Sequence, residues 1–279
     1  MVNKSLIAYG HFLTKGVINV TQSFFIFAFV VILVALYTND VHAGKIVTEG
    51  LVSFWSLDRD TISGEKVKDL IGNNHGTISG KPKEVAGKIK EALKFDGASD
   101  FIDCGKDASL DLPSAFTYEV WMNPSSAGEG GPKNAGPICK AINGGSWSWQ
   151  LRYNAPGNNF MGFQFNAGGS VWITVEQKLS PNEWYHIIGT YDGKTAKCYL
   201  NGVKKSETKM NNVNSGQDNF FIGQDGWVNV FDGIIDEVRV YKRALDENEI
   251  QQNYKATSQL SVDSMNKLTG SWGWIKLEK

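Results

Sequence analysis

The sharpest pattern in the chain is the alternation over positions 233–241. Ile235, Glu237, Arg239 and Tyr241 fall on one side of an extended segment, and Ile234, Asp236, Val238 and Val240 on the other. Period-two spacing with β-branched residues predicts a strand. It puts Asp236 on the apolar side, where a carboxylate needs a cation or hydrogen-bond donors to offset its desolvation. The period then changes. Asp246 and Glu249 have capping-box spacing, and Leu245 and Ile250 occupy the two positions of a hydrophobic staple. A short helix beginning at Glu247 is the expectation.

Upstream, the run from Trp184 to Tyr191 is rich in aromatic and β-branched residues and ends at Asp192-Gly193. A second run through Cys198, Tyr199 and Leu200 ends at Asn201-Gly202. Both dipeptides favour the positive-φ turns that join antiparallel strands, so the segment reads as a meander. Further strands are predicted over 50–57, 92–95, 101–104, 116–122, 138–142, 146–153, 161–166, 171–175, 196–200 and 219–222. Most are separated by Gly, Asn, Asp or Pro clusters. The polar stretches 125–137, 154–159 and 211–218 read as loops.

These blocks come in a particular order. LVSFWSL from Leu51 precedes Lys68-Asp69 and GNNHGTISG from Gly72. EALKFDGASDFIDCG from Glu91 and FTYEVWMNP from Phe116 follow, then the meander and the FDGIIDEVRVYKRALDENEIQQNY stretch that closes the domain. In that order, over residues 50 to 254, they resemble the laminin-G-like, concanavalin A-like jelly-roll family of bacterial secreted proteins. The resemblance and the periodicity together imply an all-β fold, a jelly-roll sandwich of two antiparallel sheets with one short C-terminal helix. The domain is expected over residues 44–254, and residues 255–279 form a tail containing Trp272 and Trp274. That tail reads either as a terminal strand docked on the sandwich or as an interaction segment.

Composition adds limits. The formal net charge is −1 over 279 residues, which gives no general attraction to nucleic acid. Residues 1–43 begin with Lys4, His11 and Lys15, continue through an apolar run over 24–37, and reach Val41-His42-Ala43. That layout is a signal peptide with a mature N-terminus at Gly44. The alternative is an uncleaved membrane anchor through residues 17–37. Either way the sandwich is expected to be exported, to an extracellular, cell-surface or periplasmic location. Cys104, Cys139 and Cys198 are odd in number, so at least one thiol is left over.

Two groups of residues suggest a site. The resemblance implies a structural calcium ion, with Asp69 and Asp236 as side-chain ligands and Asn74 and His75 as backbone-oxygen ligands. A hard cation takes oxygen ligands of this kind, and an imidazole ligand is not expected. The alternative for the two carboxylates is that Asp69 caps a turn and Asp236 meets a buried donor or Arg239. The second group is Trp147, Trp149, Gln150, Arg152 and Trp172. Aromatic faces with amides and a guanidinium between them suit a sugar. Alternation puts Trp147, Trp149 and Leu151 on one side, and Ser148, Gln150 and Arg152 on the other. The tryptophans then form either a ligand platform or the inner face of the sandwich.

Enzymatic signals are missing. Glycoside hydrolases generally need two carboxylates across the scissile bond, and no strand repeats acidic residues on one face. Glu119 stands alone in its strand, Asp236 and Glu237 point to opposite faces, and His186 reads as structural. The expectation is a non-catalytic binding module whose partner is a glycan or a cell-surface protein. The rivals are a protein-only adhesion domain and a hydrolase or lyase with an unfamiliar site.

Overall fold

The computed structural model describes residues 44–125, 136–141, 147–153, 160–214, 216, 218–226 and 229–257. Residues 1–43, expected to direct export, the tryptophan-containing tail and parts of the predicted loops lie outside the described residues. Among the described residues, no helix is long and apolar enough to cross a membrane.

Two antiparallel sheets form the domain. Sheet I has eight strands: β1 (Leu51–Trp55), β5 (Lys83–Ala86), β6 (Glu91–Asp96), β8 (Phe116–Pro124), β13 (Tyr185–Tyr191), β14 (Thr195–Leu200), β15 (Val203–Lys209) and β17 (Asp232–Tyr241). Their order is β15-β14-β13-β8-β17-β6-β5, and β1 also pairs with β17. Sheet II has nine: β2 (Ile62–Ser63), β3 (Lys66–Val67), β4 (Gly76–Ser79), β7 (Phe101–Asp103), β9 (Ile138–Ala141), β10 (Trp147–Tyr153), β11 (Met161–Asn166), β12 (Ser170–Thr174) and β16 (Asn219–Ile222). Their order is β12-β11-β10-β9-β16-β7-β4-β3-β2. The expected jelly-roll sandwich is present.

The core lies between the sheets. Sheet I contributes Phe95, Phe116, Tyr118, Val120, Ile187 and Val238, and sheet II contributes Ile102, Ile138, Trp149, Phe163, Phe165 and Ile222. Tyr118 stacks on Trp149 across the gap with ring centroids 3.9 Å apart. The predicted meander is β13-β14, and β15 extends it by one further antiparallel strand. Asn201 and Gly202 both have positive φ, at 51° and 77°, as a mirror-image hairpin turn requires.

The C-terminal helix, α1, runs over Glu247–Lys255 and carries the predicted capping box at Asp246 and Glu249. Leu245 and Ile250 pack with Val47, Ile188, Tyr199 and Tyr241 in a second apolar cluster. Helix and N-terminal arm therefore cover the outer face of sheet I, which is why β8, β13 and β17 are buried on both faces.

Five strands escaped the periodicity: β2, β3, β4, β5 and β15. β15 reads VKKSETK and half of it is exposed, so its polar sequence hides an edge strand. β4 lies in the glycine-rich GNNHGTISG stretch, β2 and β3 are two-residue pairings next to it, and β5 is a short, largely exposed pairing partner of β6. A β-bulge also corrects the alternation in β17. Glu237 has φ +53°, and the register with β8 shifts between Asp236 and Arg239. Ile235, Val238 and Val240 face the core. Asp236 lies opposite Trp121, and Arg239 opposite Glu119. Asp236 thus belongs to the outer side of sheet I, not to the apolar side between Ile234 and Val238.

Candidate functional site

The outer face of sheet II carries no helix among the described residues. Pairing places Trp172 opposite Gln164, Gln164 opposite Gln150, Gln150 opposite Cys139, and Cys139 opposite Phe221. This is one row across the sheet, on the side away from the core. Gln150 Nε2 donates to Gln164 Oε1 at 2.9 Å, and Gln164 Nε2 donates to Ser170 Oγ at 2.8 Å. Arg152 Nη1 donates to Gln150 Oε1 at 3.4 Å. Arg152 Nε is buried without a hydrogen-bond partner. Trp172 and Arg152 are half-buried, each leaving part of the side chain open to solvent.

The predicted tryptophan set divides here. A bulge between Trp147 and Trp149 shifts the register with β9. Trp149 turns inward and is 1% exposed, so it is core and not a ligand contact. Trp147 turns outward onto a small cluster of Cys139, Ala141, Phe221 and Phe101. Strict alternation had put the two tryptophans on one side, but one extra residue moves them to opposite faces. The outer face therefore gathers Trp147, Gln150, Arg152 and Trp172, joined by Gln164.

The calcium set also divides. Asp69 Oδ1 accepts from the amides of Phe54 and Ile71, both at 3.0 Å, and Oδ2 accepts from the Asn74 amide at 3.1 Å. The Asn74 carbonyl oxygen accepts from Trp55 Nε1 at 2.7 Å. His75 Nδ1 accepts from the Asp69 amide at 3.1 Å. Asp69, Asn74 and His75 are thus brought together, but as a loop whose N–H groups already converge on the carboxylate. These three amides satisfy the buried carboxylate, and Asp69 caps the turn.

Asp236 belongs to a different turn. Its Oδ2 accepts from the amides of Lys88 and Ile89 at 2.8 and 3.0 Å, while its Oδ1 is buried without a hydrogen-bond partner. Asp58, also fully buried, receives the Glu91 amide at 3.3 Å and lies 3.6 Å from Lys90 Nζ. Two buried carboxylates therefore grip the turn over residues 87–91. Burial raises the Asp236 carboxyl to about 8, and the Asp58 charge adds to the rise. An orphan oxygen beside a second carboxylate fits a proton or a cation. Among the described residues, no group of three or more His, Cys, Asp or Glu side chains could hold a metal ion.

A third constellation was invisible in the sequence. Glu119 Oε1 accepts from Arg239 and lies 2.9 Å from His186 Nε2, while Glu119 Oε2 accepts from Asn253 Nδ2 at 2.6 Å. Arg239 also pairs with Glu237. His186 stacks on Trp121 and Tyr254. Every charged member is fully buried beneath α1. Arg239 holds the Glu119 carboxyl below its ordinary value, although burial opposes this. The residues lie far apart in the chain, so only the topology assembles them. The three cysteines are free and buried, and burial pushes the Cys198 thiol well above its ordinary value.

Comparison with known proteins gives the class. Residues 96–251, more than half of the chain, match the Laminin_G_3 family model, described as the concanavalin A-like lectin/glucanases superfamily. The chain belongs to this family. Among solved structures it is similar to domain 4 of AbnA, an extracellular arabinanase of Geobacillus stearothermophilus solved with arabinotriose. Identity is 21%, coverage is 73% of this chain and 98% of that one, and the TM-score is 0.59. It is also similar to the binding domain of Paraclostridial Mosquitocidal Protein 1, at 19% identity, 74% and 52% coverage, and TM-score 0.56. A third neighbour is botulinum neurotoxin type C, described as entering cells through two ganglioside molecules, at 13% identity, 75% and 52% coverage, and TM-score 0.58. A curated relative, mouse pappalysin-1, is 28% identical over 127 residues, which is 40% of this chain and 8% of that protein.

Proposed function

We propose that this chain is an exported, non-catalytic module that binds a glycan on the outer face of sheet II. The observation that carries the reading is the row Trp172-Gln164-Gln150, with Arg152 beside it. A half-open indole can stack on the C–H face of a sugar ring, and the amide ladder and guanidinium can read its hydroxyls. The ladder also fixes the amides in advance, which lowers the ordering cost of binding. Two of the structural neighbours support it, one solved with an arabino-oligosaccharide and one described through gangliosides.

The non-catalytic part rests on the acidic residues. Glu119, the carboxylate nearest a histidine, is sealed between Arg239 and Asn253 with no opening to a substrate. Calcium is proposed on Asp236 and Asp58 in place of Asp69, because Asp236 Oδ1 is a buried oxygen without a hydrogen-bond partner and the Asp58 carboxylate acts on it. When bound there, the ion would supply the charge that a proton otherwise brings. A glycan array comparing the wild-type chain with Trp172→Ala tests the main reading.

A further inference from the structure

Arg152 is the only charged residue of strands β10, β11 and β12. It follows Gln150 by two positions, so it shares the outer side of sheet II, while Leu151 between them is core. Its side chain is half-buried. Among the described residues no carboxylate pairs with it. Nη1 makes the long contact with Gln150 Oε1 at 3.4 Å, and Nε is buried without a partner. Asp218 does reach β10, but at the other end of the strand, where Ser148 Oγ donates to it at 2.5 Å. A guanidinium partly withdrawn from water normally has an anion beside it. The hydrogen bonds around this one run in a single direction through neutral groups. Arg152 donates to Gln150, Gln150 to Gln164, and Gln164 to Ser170. Each amide oxygen is turned to the donor before it. Gln164 is half-buried and keeps a second N–H. The open side of the chain therefore offers N–H groups around a positive charge.

Resting on the glycan reading above, we propose that the ligand of this face is an anionic glycan, whose carboxylate or sulfate ester pairs with Arg152 while a neighbouring sugar stacks on Trp172. A neutral sugar laid over both side chains would strip water from the guanidinium without supplying a counter-charge, which costs free energy. A carboxylate or sulfate replaces that water with charge-assisted hydrogen bonds, and the guanidinium fork matches its paired oxygens. The pairing of β10, β11 and β12 sets the reach. Trp172 lies two strands over from Gln150 and Arg152 two residues beyond it, so the two backbones are about 12 Å apart by strand spacing and rise. That separation suits an oligosaccharide, with one residue on the indole and the anionic group on the next. A bare inorganic anion would leave the Trp172 face uncovered.

The test is calorimetric titration of the full chain with matched oligosaccharide pairs. Tetragalacturonate is set against its methyl ester, sialyllactose against lactose, and a carrageenan tetrasaccharide against its desulfated form. The first two pairs vary a carboxylate and the third a sulfate. In at least one pair the anionic member should bind about tenfold or more tightly, and added salt should weaken it while leaving the neutral member unmoved. Arg152→Gln should bring both members of that pair to one affinity with an unchanged melting temperature. Arg152→Lys should keep part of the preference, and Trp172→Ala should weaken both members. If Arg152→Gln does not fold, the salt response and Arg152→Lys carry the test. Equal or tighter binding of the neutral members would overturn the anionic ligand and leave the glycan reading standing. A preference for the anionic member that survives in Arg152→Gln would overturn the role of Arg152. No binding of any probe would also overturn the inference, and a glycan array then decides the glycan reading separately.

Discussion

Asn253 of the C-terminal helix donates to Glu119 of the central strand β8, Nδ2 to Oε2, at 2.6 Å. The same amide group donates to Tyr241 Oη at 2.9 Å, and Asn253 Oδ1 accepts from the Val47 amide at 2.8 Å. One buried side chain thus joins helix, sheet and N-terminal arm. The helix is more than a cover for an apolar patch, because it completes the hydrogen bonding of a buried carboxylate.

Asn253→Ala should therefore cost about 2–4 kcal/mol, since it leaves Glu119 and the Val47 amide short of partners in a buried site. Urea unfolding measures this. Asn253→Asp should be worse, because it sets a second carboxylate against Glu119. A cost below about 1 kcal/mol for both variants would mean that the helix end is loosely held.

The Asp236 carboxyl gives a signed pH dependence. Burial lifts its folded pKa to about 8, above the ordinary 3.8. The folded state then binds more protons than the unfolded state between those values. The stability this group contributes is full below about pH 4 and is lost as the pH rises through 8. In EDTA, the melting temperature of the wild type should fall relative to Asp236→Asn as the pH goes from 5 to 9. Asn keeps an acceptor for Lys88 and Ile89 and supplies its own N–H where the orphan oxygen lay. Parallel melting curves for the two proteins across this range would refute the assignment.

Metal addition gives the companion result. Millimolar calcium should raise the melting temperature by several degrees at pH 8.5 and much less at pH 5, where the proton holds the pair. Asp236→Asn and Asp58→Asn should both remove the response, and Asp69→Asn should keep it. An unchanged melting curve with and without EDTA at pH 8.5 would count against a cation at this pair.

The two tryptophans separated by the β10 bulge should behave as opposites. Trp149→Ala empties a core position stacked on Tyr118 and should cost about 3–5 kcal/mol. Trp172→Ala sits on an open face and should cost about 1 kcal/mol or less. Thermal unfolding of both variants decides this, and similar losses would contradict the face assignment.

Much of the architecture was legible because the core strands carry strong local signals. Asp192-Gly193, Asn201-Gly202 and the Asp246-Glu249 capping box each fix a turn or a helix start by backbone chemistry alone. The errors came from two sources. A bulge adds one residue and reverses every later side chain, which happened at Trp147–Trp149 and again at Glu237. Alternation cannot show it in advance, because Glu237 is a non-glycine residue at positive φ. The second source is distance in sequence. Gln164 meets Gln150 through ordinary strand pairing, but Glu119, His186, Arg239 and Asn253 meet only once sheet and helix are assembled. The resemblance implied Asp69 as a calcium ligand; the structure shows its carboxylate held by the amides of Ile71 and Asn74 in the adjoining loop and of Phe54 in β1.

The most direct test of the glycan-binding face is titration of the best hit from a glycan array into the wild type and into Trp172→Ala and Gln164→Ala. Saturable binding that weakens tenfold or more in Trp172→Ala, and measurably in Gln164→Ala, with melting temperatures held, is the predicted result. No glycan on the array binding the wild type, or equal affinity in all three proteins, would contradict it.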